Sequence, residues 1–191
     1  MIGYAICGSF CTHSNSVKVL KQLTLNNDVL PIISFNAGSI DTRFGKACDL
    51  ISNLENITGN KVISTIEEAE PLGPKIKLEG LIIAPCTGNT LAKLAVGITD
   101  TPVTMAAKAH LRSNRPLVIT LASNDAMSAN LENIGKLLNR KNVFFVPMIQ
   151  DDPSNKPHSL VADFGLIKET YEGAIEGKQI RPIFLEKKTD N

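Results

Sequence analysis

The run Ala84-Pro85-Cys86-Thr87-Gly88-Asn89-Thr90, leading into Leu91-Ala92-Lys93-Leu94-Ala95, gathers the residue types that hold small anionic ligands. The apolar segment Gly80 to Ala84 reads as a buried strand before it, and periodic apolar positions read as a helix after it. Such a turn puts backbone N–H groups and short polar side chains at the carboxyl end of a strand. Open α/β sheets bind ligands at that edge, and helix N-termini attract anions there. A plain helix cap needs only one of Thr87, Asn89 or Thr90. The turn alone therefore leaves capping and ligand binding both open.

Two further strand ends have the same character. Cys7-Gly8-Ser9-Phe10-Cys11-Thr12-His13-Ser14 places a glycine and three hydroxyls before a helix, and Ser34-Phe35-Asn36-Ala37-Gly38-Ser39 follows the second strand. Neither is a G-x-G-x-x-G fingerprint or a P-loop. Gly8 permits close backbone approach, and Ser9 with the helix N-terminus can offer donors to one phosphate. Gly8, Ser9, Ser34 and Asn36, with Pro85 through Thr90, point to a mononucleotide held through a single phosphate. Three independent turns are the plainer alternative. His13, beside the first turn and titrating near neutrality, is the expected catalytic base; a solvent-facing residue at a helix start is its bland reading. His110 fits an apolar helical spacing and is expected to be packed. His158 falls in a proline-rich loop.

The elements that must position these turns alternate along the chain. Strands are expected at 2–7, 29–35, 61–64, 81–84, 117–121 and 143–146, and helices at 14–25, 42–57, 89–96, 103–112, 130–140 and 164–176. A basic tail, 178–191, is expected to be extended. Most strand candidates are continuous apolar runs, as in strands covered on both faces. The expected fold is one α/β domain over 1–191, doubly wound and Rossmann-like, with a mostly parallel six-stranded sheet and helices on both faces. Two irregular stretches, 67–79 and the proline-bearing 148–158, read as loops.

Composition narrows the function. The chain has 191 residues, with 20 basic against 19 acidic, which gives no argument for nucleic acid or an anionic membrane as partner. No apolar run approaches the ~20 residues of a membrane span. Met1–Ile6 lacks a basic n-region, so a signal peptide is not expected and a cytoplasmic location is. The four cysteines lack zinc-site spacing; they are expected as reduced thiols, with Cys48 a small buried residue and Cys86 in a packing role.

These turns resemble the flavoprotein superfamily that contains FMN-dependent cysteine decarboxylases and flavin prenyltransferases. Its hallmark, a Pro-Ala-Ser-Ala-Asn-Thr or Pro-Cys-Ser-x-x-Thr turn and then Leu-Ala-x-x-Ala-x-Gly-x-x-Asp, is matched by Pro85 through Asp100. Within it, the sequence resembles the B-subunit family of dipicolinate synthases. Thr42-Arg43-Phe44-Gly45, Ala69 through Ile76, Thr101 through Lys108, Asn124-Asp125-Ala126 and Phe145-Val146-Pro147 carry that resemblance.

The resemblance implies FMN as cofactor and adds Met105 and Arg115 to the cofactor-binding residues. It implies a partner, the A subunit of dipicolinate synthase, that binds NADP. The pair is implied to oxidise a cyclic lysine-pathway intermediate to pyridine-2,6-dicarboxylate in the mother cell of a spore-forming bacterium. A homo-oligomer, trimer or dodecamer, is also implied. A dicarboxylate substrate calls for cationic clamps, for which Arg43, Arg112 and Arg115 are the candidates, with Lys75 and Lys77 behind them. The prenyltransferases' Arg-Glu-Thr-Pro is replaced by Ala122-Ser123-Asn124-Asp125, and the decarboxylases' Pro-x-Met-Asn by Pro147-Met148-Ile149-Gln150. A decarboxylase, a prenyltransferase and a non-catalytic scaffold are the alternatives.

Overall fold

In the computed structural model, which describes residues 1–186, the central strands are the continuous apolar runs of the sequence. They are β1 (Ile2–Ile6), β2 (Val29–Ile33), β3 (Leu81–Cys86), β4 (Leu117–Ser123) and β5 (Val143–Phe145). Every residue of β1, β3 and β5 is buried, as parallel strands covered on two faces require. They pair in parallel in the order β2-β1-β3-β4-β5, in register Ile6 with Ile33 and Ile83 with Ile119.

The expected strand at 61–64 shrinks to a single parallel bridge, Ile63 with Ile32. Counted with that bridge, the order is the doubly wound one. Successive connections run outward from β1 on one side and from β3 on the other, so the crevice between those two strands is the switch point.

The sheet is mostly parallel, as expected, but beyond β4 it is mixed and carries more strands than the six expected. β6 (Met148–Ile149), β7 (Leu160–Ala162) and β8 (Phe184–Leu185) make eight strands, with β7 antiparallel to both β4 and β6. Strands of two or three residues are too short to show a period, and Pro153 and Pro157 interrupt the segment between β6 and β7. Phe184–Leu185 in the expected tail pairs with β6; residues 187–191 of that tail lie outside the described residues.

The helices are α1 (His13–Leu23), α2 (Phe35–Ser39), α3 (Ala47–Thr58), α4 (Ile66–Ala69), α5 (Gly88–Val96), α6 (Pro102–Leu111), α7 (Leu131–Leu138) and α8 (Ile167–Ile175). They form two packed groups, α1 with α3 and α8, and α6 with α4 and α5, as right-handed crossovers to either side demand. The helix expected from 42 begins only at 47, because Thr42 and Gly45 close a reciprocal turn with Gly45 at φ +144°. Thr101 caps α6 and Pro102 opens it, while Gly97 in the left-handed region closes α5.

Candidate ligand site at the switch point

β1 ends in a turn whose donors are only partly used. Ser9 Oγ donates to the Ala122 carbonyl at 2.8 Å, which ties this turn to the end of β4, and Thr12 Oγ1 donates to the Ser9 carbonyl at 2.8 Å. The backbone N–H groups of Gly8 and Ser9 have no acceptor among the described residues. A Cβ on Gly8 would meet nothing nearer than the Asn36 Cβ at 3.6 Å. The fold therefore does not require glycine there, whereas a ligand approaching that backbone would. Ser34 accepts the Ala37 N–H at 3.3 Å, so its hydroxyl proton remains for a further acceptor.

β3 ends across the crevice. Thr87 caps α5, accepting the Thr90 N–H at 3.2 Å and donating to Thr90 Oγ1 at 3.0 Å, and Thr90 in turn donates to Cys7 Sγ at 3.4 Å. That chain links the ends of β3 and β1 and keeps Thr90 inside. Asn89 is exposed, and neither its side chain nor the N–H groups of Gly88 and Asn89 find a partner among the described residues. Pro85 is built in: its carbonyl accepts the Cys7 N–H at 3.1 Å. Burial pushes the Cys7 thiol up to about 11 and the Cys86 thiol well above its ordinary value, so both are protonated packing residues at neutral pH. Cys48, expected inside, is exposed.

A polar group at the end of β4 completes the edge, and the sequence pattern alone did not single it out. The Asp125 carboxylate accepts from the Ser123 hydroxyl and, at 2.9 Å, from the Asn130 amide; Asn133 donates to Asn130 Oδ1 at 3.0 Å. Asn130 is buried and Asp125 exposed. A Cβ on Gly88 would lie 2.6 Å from Ser123 Oγ and 2.7 Å from both Asp125 Oδ1 and Asn130 Nδ2. Any side chain here would force these three groups to shift, so glycine lets α5 begin against this carboxylate. The available signal was Ser123-Asn124-Asp125 directly after an apolar strand, the pattern of the other two ends.

Beside this edge, α1, α3 and the loop before α3 enclose a cleft of about 390 Å³, lined among others by His13, Lys18, Lys21, Phe44, Lys46 and Asp49. His13 Nε2 is 2.7 Å from the Cys7 carbonyl, which can only accept, so Nε2 carries the proton and Nδ1 is left as acceptor. Burial lowers the pKa of this imidazole below 6.5, more than the Cys7 carbonyl raises it, and the ring is neutral at neutral pH. Arg43 stands exposed at the rim, its guanidinium 4.9 Å above the Phe44 ring.

Two expected site residues belong elsewhere. Arg115 precedes β4, and its guanidinium donates to the Leu78 carbonyl at the amino end of the sheet. The seven residues of β4 span roughly 23 Å at 3.3 Å per residue, so within one chain Arg115 is remote from the switch point. Lys75 lies in the turn before β3, where the Gly73 backbone packs on the Ala109 carbonyl near the end of α6, again at the amino edge. Met105 is half-buried in α6, packed on the core. His110 is fully buried, its Nε2 2.9 Å from the Pro116 carbonyl, as its spacing suggested. Asp100 pairs with Lys93 at 2.8 Å. No cluster of metal-ligating residues occurs among the described residues, and none of their helices is long and apolar enough to cross a membrane.

The site is therefore the switch point of a doubly wound sheet, with free N–H groups and small polar residues at its carboxyl edge. The chain belongs to the flavoprotein family, whose model matches residues 10–171. Within that family it belongs with the B subunits of dipicolinate synthase. It is 43% identical to the dipicolinate synthase B subunit of Bacillus subtilis, over 97% of this chain and 93% of that one. The crystal structure of the dipicolinate synthase B subunit from Bacillus halodurans superposes with a TM-score of 0.89 at 38% identity, covering 97% of this chain and 96% of that one. The FMN-dependent cysteine decarboxylase SpaF shares the fold, with a TM-score of 0.68 at 21% identity over 92% and 95% of the two chains.

Proposed function

We propose that this chain is the B component of a dipicolinate synthase. It acts with an NADP-binding A component to oxidise a partly reduced pyridine dicarboxylate to pyridine-2,6-dicarboxylate during endospore formation. The observation that supports this reading is similarity along nearly the whole chain to two dipicolinate synthase B subunits. The site is consistent with it. The unused N–H groups of Gly8, Ser9, Gly88 and Asn89, with the Ser34 hydroxyl, suit one phosphate and a ring at a switch point, which is the demand FMN makes. When bound there, FMN would supply hydride-transfer chemistry.

This chain's own residues divide the remaining work. Lys18, Lys21 and Lys46, with Arg43 at the rim, outnumber Asp49 in the cleft and would attract the two substrate carboxylates. Dehydrogenation also releases a proton. Asp125, fixed by Ser123 and Asn130 at the exposed edge, is our choice for its acceptor, with the neutral His13 as a cleft wall. The hydride leaves for the nicotinamide carried by the A component, since this chain has no dinucleotide fingerprint. Phe35, Ile40 and Phe44, each more than two-fifths exposed near the cleft, favour association into a homo-oligomer.

The experiment supplies the lysine-pathway intermediate and NADP to each component alone and to both together, and follows the ultraviolet absorbance of the aromatic product. Product only from the pair is expected. Full rate from the A component alone would overturn the proposal, and prenylated flavin made by this chain alone would assign it to the prenyltransferases. The visible spectrum of the protein as purified tests the flavin separately.

A further inference from the structure

At the amino edge of the sheet, remote from the switch point, lies a second cleft of about 220 Å³, lined by Lys108, Leu111, Arg112, Asn114, Arg140, Lys141 and Asn142. Four of the seven are cations and none is acidic. None of the four makes an ion pair among the described residues, although six ion pairs occur elsewhere among them. We propose that this cleft binds a small polyanion carrying two or more phosphate or carboxylate groups.

The cleft is built by two equivalent connections. α6 enters β4 through Asn114 at φ +54°, and α7 enters β5 through Asn142 at φ +64°. β4 and β5 are parallel neighbours in register Leu117 with Val143, and the Leu117 N–H donates to the Asn142 carbonyl at 2.8 Å. The two left-handed turns are therefore side by side, and each brings an asparagine amide and a pair of basic residues to the same hollow.

Basic residues at helix ends have an ordinary role, since each C-terminus carries about half a negative charge. Two helix ends account for about one of the four positive charges, which leaves a surplus of about three. The chain as a whole has a formal charge of only +1, so the surplus is local. Two arginines and two asparagine amides also present planar donors suited to oxyanions rather than a diffuse charge. At ~30 Å³ per water the cleft has room for about seven waters, the size of pyrophosphate or a small tricarboxylate and too small for a folded segment.

Isothermal titration of the full chain with inorganic pyrophosphate, citrate and, as monovalent control, acetate tests this. Saturable binding of one pyrophosphate or citrate per chain, weakened by added salt and absent for acetate, is expected. Binding of pyrophosphate alone would make it a phosphate site, and of citrate alone a carboxylate site. The double variant Arg112→Gln, Lys141→Gln should weaken binding at least about tenfold with an unchanged melting temperature. The pair Lys18→Gln, Lys21→Gln in the other cleft should not alter it. No saturable binding, equal affinity in the Arg112/Lys141 variant, or loss of binding in the Lys18/Lys21 variant would overturn the proposal.

Discussion

The two edges of one parallel sheet use opposite chemistry. At the carboxyl edge, β1, β3 and β4 end in Gly8-Ser9, Thr87-Gly88-Asn89 and Ser123-Asn124-Asp125, and several N–H groups there stay unused. At the amino edge the backbone is closed by side chains: Arg115 onto the Leu78 carbonyl, His110 onto the Pro116 carbonyl, and the Met1 ammonium onto Glu79 at 2.9 Å. Parallel strands joined by helices present helix N-termini, hence donors, at one edge, and helix C-termini, hence carbonyls, at the other. A cation near a strand's start is accordingly a structural partner or a local anion site, and a short polar residue after a strand's end is the better candidate for chemistry.

The sharpest test of that contrast is Asp125→Asn, which keeps the side chain's shape and its two neighbours. With the A component present, dipicolinate formation should fall at least about a hundredfold while the melting temperature barely moves. An unchanged rate would make Asp125 a loop-forming residue only.

Two glycines on the carboxyl edge separate a steric requirement from a ligand's. Gly88→Ala should cost about 1–3 kcal/mol by thermal melting, because the new methyl meets Ser123, Asp125 and Asn130. Gly8→Ala should stay within about 0.5 kcal/mol, and Gly8→Val should abolish flavin retention while the domain still folds.

On the amino edge, Arg115→Gln should lose about 1.5 kcal/mol through the Leu78 carbonyl, while Lys75→Gln changes neither stability nor product formation. Loss of flavin in Arg115→Gln with unaltered melting would return Arg115 to a ligand site, contributed across an interface between protomers.

Thr87→Ala should cost about 1 kcal/mol as a lost cap. Asn89→Ala should leave the melting temperature alone and reduce activity, since its side chain has no partner among the described residues.

The smallest effect is in pH. Burial lowers the pKa of His13 and His110, so below 6.5 the unfolded chain takes up protons that the folded chain refuses. Stability should be level above that value and decline as pH falls from it toward the folded-state pKa. Melting curves from neutral to mildly acidic pH check this, and the double variant His13→Gln, His110→Gln should flatten the decline.

What the amino-acid sequence determined by itself is local. The largely apolar runs of β1, β3 and β4 require burial on both sides. The alternation with periodic helices makes the sheet parallel, and the small polar residues after β1, β2 and β3 mark its ligand edge. Glu68 reaching back to the Thr65 N–H, like Thr87 capping α5, follows from spacing within one turn. Only the tertiary structure decided how those groups are used. The Ser9 hydroxyl meets the Ala122 carbonyl across 113 positions, and the Thr90 hydroxyl meets Cys7 across 83. Gly88 is crowded by Ser123, Asp125 and Asn130, and Arg115 finds the Leu78 carbonyl across 37 positions. Burial of an apolar strand run follows from its own chemistry, whereas the exposure of Cys48 and a hydrogen-bond partner far along the chain are settled only once the strands have chosen their order.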